Sequence, residues 1–178
     1  MDKKLWEECI KFHGHECPGL AIGYRAVEIA KEHLGDIFSP SHDEEIVCVT
    51  ENDACGVDAV QWMTGCTVGK GNLIYRPTGK MAFSFFLRES GRSIRIVRKP
   101  KPGDAPMSRE ESKRYILEAP ADEVFWVKEP EFELPERARI FDSVVCEKCG
   151  EASPEHKIRI MEGKKVCSEC FTDYQRGW

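Results

Sequence analysis

The segment Phe12-His13-Gly14-His15-Glu16-Cys17-Pro18-Gly19 places two imidazoles and a thiol close together, then reaches a Pro-Gly step that can open a helix. Proline is favoured at the first helical position because the N–H it lacks would have no partner there. Cys17 then falls at the helix N-cap, where unpaired amides and the helix dipole favour a thiolate. A thiolate beside neutral imidazoles is either a transition-metal site or an activated nucleophile. Cys55 is placed similarly, at a junction between an expected strand and an expected helix.

A second group of thiols stands near the C-terminus. Cys146-Glu147-Lys148-Cys149 and Cys167-Ser168-Glu169-Cys170 form two CxxC pairs with a spacer of zinc-site length. Zinc takes four soft ligands at tetrahedral vertices, and each CxxC turn supplies two sulfurs to one edge. A stretch this short buries too little apolar surface to fold alone, so a bound Zn²⁺ is expected as its core.

Composition narrows the class. The chain has 178 residues, 41% hydrophobic and 32% charged, which fits one sizeable core and a small appendage. A formal net charge of -5 argues against a general nucleic-acid or anionic-membrane surface. No apolar run is long enough to span a bilayer, and Met1-Asp2-Lys3-Lys4 opens too charged a segment for a secretory signal. The nine cysteines are therefore expected to be reduced thiols and metal ligands in a cytoplasmic protein.

The elements that must position these groups follow from periodicity and punctuation. A short amphipathic helix is expected over Leu5 to Phe12. A longer one runs from Pro18 to about Leu34, with Leu20, Tyr24, Val27, Ala30 and Leu34 inward and Gly35 as its stop. Ala21, Gly23 and Ala26 permit close approach of another helix or backbone. Ile46 to Thr50 reads as a buried strand and Val57 to Thr64 as a helix. Strands are expected around Leu73–Arg76, Met81–Arg88 and Ser93–Arg98, the last two joined as a hairpin, followed by a Pro/Gly loop from Lys99 to Pro106. Ser108-Arg109-Glu110-Glu111 matches a capping box for a helix to about Leu117. Val124 to Lys128 is a further strand. The fold class is thus α+β, with helices on a mostly antiparallel sheet. The expected organisation is a core domain over 1–128, a Pro- and Glu-rich linker over 129–139 and a zinc-finger domain over 140–178. In the finger, a hairpin over Lys157–Ile160 and Lys164–Val166 and a helix over Phe171–Gln175 would give a treble-clef or zinc-ribbon-like module.

The FHGHECPG, NDACGVDAVQ and TVGKGNL stretches, in that order, resemble the FmdE family, named for a component of the tungsten- or molybdenum-dependent formylmethanofuran dehydrogenases. The resemblance covers roughly Leu5 to Lys128, and the trailing finger resembles the family's two-domain branch. It implies an α+β core, a homodimer and a molybdenum or tungsten enzyme complex as a partner. The family's polar cluster falls on His13, His15, Cys17, Asp53, Cys55, Asp58 and the Gly69-Lys70-Gly71-Asn72 turn. His15 and Cys17 point the same way on an extended segment, and Cys55 needs only its strand-to-helix turn to meet them. His15, Cys17 and Cys55 are the candidate ligands of a second divalent metal, Zn²⁺ or another borderline ion. Asp53 or Asp58 is placed to orient an imidazole or act as a base. In the metal-free alternative, Cys17 or Cys55 is a nucleophile with His13 or His15 as base. Lys70 and Asn72 are the candidate substrate-binding residues, Lys70 for an anionic group.

Two function classes remain at this level. One is an enzyme or accessory subunit using the core pocket on a small, one-carbon or cofactor-linked substrate. The other is a regulator or adaptor in which the core senses a metal or metabolite and the basic finger, through Lys157, Arg159, Lys164, Lys165 and Arg176, meets nucleic acid or protein.

Overall fold

A computed structural model describes residues 1–35, 40–101, 103 and 106–176. The expected Lys99–Pro106 loop and the end of the finger domain fall partly outside these residues. The chain forms two compact units, Met1–Ala138 and Arg139–Trp178.

In the first unit, α1 spans Lys3–His13 and α2 spans Pro18–Leu34. Strand β1 covers Ile46–Thr50, α3 Gly56–Thr64, β2 Leu73–Tyr75, β3 Ala82–Leu87 and β4 Ser93–Arg98. Helix α4 is Arg109–Glu118, entered through the expected capping box of Ser108 and Glu111. A single helical turn, α5 at Ala121–Val124, leads into β5 at Phe125–Lys128. The five strands lie in the order β2-β1-β3-β4-β5, parallel only between β1 and β2.

Strand alternation sends two sets of side chains to opposite faces. Cys48, Phe83, Phe85, Ile94 and Ile96 join Leu20, Tyr24, Val27, Ala30 and Val60 in the main core under the helices. Val47, Val49 and Phe86 turn the other way and form a second cluster with Ile74, Phe132 and Leu134. Residues 129–138, expected as a linker, therefore fold with the core unit. Arg88 fixes this segment by donating to the carbonyls of Pro135 (2.9 Å) and Glu136 (3.2 Å), while its guanidinium pairs with the buried Glu44 at 2.9 Å. Phe132 and Leu134 are the only large apolar side chains in this segment, too few to show a periodic pattern.

The closest packing in the unit is between α2 and α3. A Cβ at Gly23 would lie 1.9 Å from the Gly56 carbonyl oxygen, and one at Gly56 would lie 2.9 Å from that of Gly19. The helices touch backbone to backbone, so these positions accept only glycine without displacement. This contact brings the entrances of both helices together.

The second unit holds two small antiparallel pairs, β6 (Ser143–Val145) with β7 (Ala152–Pro154) and β8 (Arg159–Met161) with β9 (Lys164–Val166). The helix expected over Phe171–Gln175 is not formed. Five residues complete little more than one turn, and helices this short are marginal in water without a packed face.

Candidate metal centre

Cys17 caps α2 as its position demands: it is extended, 3% exposed, and its Sγ accepts the Leu20 amide at 3.3 Å. Cys55 also precedes a helix, but its backbone is already helical and its thiol caps nothing. The expectation that both thiols are acidified by helix entrances therefore fails at Cys55. Burial pushes its pKa up, and the hydrogen bond and charge of the adjacent Cys17 push the same way. Gly19 supplies the room: a Cβ there would meet Cys55 Sγ at 3.6 Å and Cys17 Sγ at 3.8 Å.

The imidazoles arrive from the end of α1. His13 is its last residue, Gly14 turns the chain in a left-handed conformation, and the His15 ring lies 4.4 Å from that of His13. His13 Nε2 stands 3.9 Å from Cys17 Sγ. Its other nitrogen, Nδ1, is 2.7 Å from Asp58 Oδ2, and Gln61 in turn donates to Asp58 Oδ1 at 3.3 Å. One donor atom from each of His13, His15, Cys17 and Cys55 lies within 4.8 Å of the others. Of the two aspartates considered, Asp58 orients the imidazole, whereas Asp53 is exposed and makes no ion pair among the described residues.

This donor set fits a borderline divalent ion. Two adjacent thiols resist joint ionisation because each thiolate repels the other, and a cation between them removes that penalty. A carboxylate on the far nitrogen of a ligating histidine fixes its tautomer and direction. His13, expected near the site, stands within reach as a fourth donor beside the three expected ligands. The loop itself is fastened at Glu16, which accepts from Trp6 Nε1 at 3.2 Å and pairs with the largely buried Lys113 of α4 at 2.9 Å.

A cavity of about 410 Å³ opens beside these groups, lined in part by His13, Cys55, Asp58, Asp53, Val68 and Tyr75. Neither expected substrate-binding residue lines it. Lys70 Nζ donates to the Ser41 carbonyl at 2.8 Å. Asn72 is fully buried: its amide nitrogen donates to the Asp43 and Ile46 carbonyls, both at 3.0 Å, and its oxygen accepts the Thr67 amide at 2.9 Å. Both brace the loops around β1. Sequence reasoning passed over Tyr75, Val68 and Val57 as pocket residues, and no sequence signal marks them, since they converge only through sheet order. Cys9, Cys48 and Cys66 are buried away from the centre.

In the second unit the four sulfurs of Cys146, Cys149, Cys167 and Cys170 also lie within 4.8 Å of one another. Backbone amides of Cys149 and Cys167 point at Cys146 and lower its pKa to about 6. Val166 is the one fully buried apolar side chain here besides cysteine among the described residues. Burial of one valine contributes roughly 2 kcal/mol. A structural zinc contributes about 10 kcal/mol or more, so a zinc bound by these four cysteines would dominate this unit's stability.

A fold of helices on a mixed five-stranded sheet with a His/Cys centre at two helix entrances, followed along the chain by a C4 finger, defines a two-part metal-binding protein. The family model described as "FmdE, Molybdenum formylmethanofuran dehydrogenase operon" matches residues 12–129, and the chain belongs to this family. Residues 139–176 match the prokaryotic dksA/traR C4-type zinc finger. A protein of Archaeoglobus fulgidus named as a probable S-adenosyl-L-methionine-binding protein is 34% identical over 193 residues, covering 92% of this chain and 51% of the relative. The chain thus spans about half the length of the curated relative it matches. The crystal structure of an FmdE-like protein of the tungsten formylmethanofuran dehydrogenase type, from Syntrophus aciditrophicus, shares the fold, with a TM-score of 0.60 at 23% identity over 94% of this chain and 90% of that one.

Proposed function

We propose that the core unit is a metal-dependent site for a small organic substrate, with His13, His15, Cys17 and Cys55 holding a divalent ion and the finger binding a separate structural zinc. The convergence of the four donors beside a cavity carries this reading. A divalent ion held there supplies a Lewis acid at the cavity wall. Asp58 keeps the His13 ring aimed, and Asp53 is the carboxylate placed to exchange a proton with a bound molecule. The metal-free rival uses Cys17 or Cys55 as a nucleophile with an imidazole as base.

Metal content separates the two. In a Cys17→Ser, Cys55→Ser double variant the metal-to-protein ratio is expected to fall by one while the finger keeps its zinc. An unchanged ratio in a folded variant rejects the core metal and favours the nucleophile. The Archaeoglobus relative's name supplies one specific ligand to try, S-adenosyl-L-methionine, by equilibrium dialysis against the full chain.

The regulator or adaptor reading rests on the finger, where Lys157, Arg159, Lys164 and Lys165 are all exposed. Residues 139–176 nevertheless contain seven basic and seven acidic side chains, which weakens nucleic acid as the partner relative to protein. A homodimer, a molybdenum or tungsten enzyme partner and a cytoplasmic setting belong to the same proposal, on the family resemblance and the reduced cysteines. Among the described residues no helix is long and apolar enough to cross a membrane.

A further inference from the structure

The charges around the core cavity are one-sided. Its lining includes Asp53 and Asp58, and no lysine or arginine lines it among the described residues. Lys70, the cation expected at this rim, is held on the Ser41 carbonyl at 2.8 Å. The side chains of Thr50 and Asn52 in the wall are committed as well. The Thr50 hydroxyl donates to the Asn52 carbonyl at 2.6 Å, and the Asn52 side chain donates to the Lys80 carbonyl and accepts the Ala54 amide, both at 3.2 Å. Asp58 is engaged with His13 and Gln61, so Asp53 is the carboxylate left to meet a ligand.

The remaining wall is apolar and aromatic. Val57, Val68 and Leu73 line it together with Tyr75, which is 51% exposed. An aromatic face beside a carboxylate attracts an alkylated cation twice, through the ring quadrupole and through charge. A divalent ion held by two thiolates and neutral imidazoles leaves the centre without net charge, so bound metal does not cancel the two carboxylates.

We propose that this cavity takes an organic cation with a compact apolar body, an alkylated ammonium or sulfonium group, held between the Asp53 carboxylate and the Tyr75 ring. An anionic substrate, which Lys70 would have served, is disfavoured by both aspartates. The inference rests on the reading of this cavity as the ligand site, but not on the metal.

Three probes of nearly one shape test it on the full-length, zinc-loaded protein: choline, its uncharged isostere 3,3-dimethylbutan-1-ol and the anion 3,3-dimethylbutanoate. Titrations followed by the NMR signals of Val68 and Tyr75 are expected to rank choline first, about tenfold tighter than the alcohol, with the anion weakest. Asp53→Asn and Tyr75→Leu should each shrink choline's advantage over the alcohol, with both variants retaining full metal content. The proposal is overturned if the alcohol or the anion binds as tightly as choline, if the preference is undiminished in Asp53→Asn, or if no probe shifts these signals at millimolar concentration. A choline preference that persists in a protein shown to lack the core metal rejects the metal reading alone. Full metal content without the preference rejects the present proposal alone.

Discussion

A single carboxylate illustrates how much the core centre depends on groups that never touch its centre point. Asp58 holds His13 Nδ1 at 2.7 Å and thereby aims Nε2 at the thiols. Asp58→Asn keeps the shape but removes the charge, and the expected result is a drop of roughly 10- to 100-fold in affinity for the core metal, with finger zinc untouched. Competition with a chromogenic chelator measures this, and unchanged affinity would show that Asp58 plays no part. The buried thiols offer a second residue-scale test. Burial pushes Cys9 up from 9.0 to about 12, with Glu8 adding to it, and pushes Cys66 up from 9.0 to about 11. A thiol whose folded pKa is raised contributes stability that is complete below its unfolded value and is lost as pH rises through the folded one. Unfolding free energy is therefore expected to fall between pH 9.0 and about 12, more gently in Cys9→Ala. Below pH 9.0, iodoacetamide should leave Cys9, Cys48 and Cys66 unmodified until the chain is denatured. Their ready alkylation in the native protein would contradict the burial.

At the scale of elements, the centre exists because α2 and α3 cross without side chains between them. Gly19, Gly23 and Gly56 let the two helix entrances, and with them Cys17 and Cys55, meet. Gly23→Ala puts a methyl 1.9 Å from the Gly56 carbonyl oxygen, which only separation of the helices can relieve. Overpacking of this kind typically costs about 1–3 kcal/mol. Urea denaturation should show a loss at or above that range, and metal analysis should show the proposed core ion lost while the finger retains zinc. An alanine accommodated at no cost, with both metals present, would mean the helices do not touch in solution.

The whole molecule divides at Ala138, not at the composition shift near residue 129. Residues 129–138 cover Val47, Val49 and Phe86 on the sheet face away from the helices. A chain ending at Lys128 uncovers these three side chains and removes two of the carbonyl partners of Arg88, those of Pro135 and Glu136. At roughly 1.5–3 kcal/mol per large apolar side chain, it should be several kcal/mol less stable than one ending at Ala138, and prone to aggregate. Thermal unfolding and light scattering of the two lengths check this, and equal stability would return the segment to the status of a linker.

The sequence by itself determined the features that are local. The Pro18 entrance and Cys17 cap, the Ser108 capping box, the edges of β1 and β4 and the paired CxxC turns each depend on neighbours a few residues away. The donor set of the finger was legible for the same reason, since each CxxC turn brings its own pair together. Only the tertiary structure decided what depends on long-range approach. It chose Asp58 over Asp53 as the partner of His13 and added His13 as a fourth donor. It withdrew Lys70 and Asn72 into loop bracing, and it brought Tyr75 and Val68 from the edge of the sheet to the cavity. Those choices follow from the order of strands and the crossing of two glycine-lined helices, which no spacing along the chain encodes.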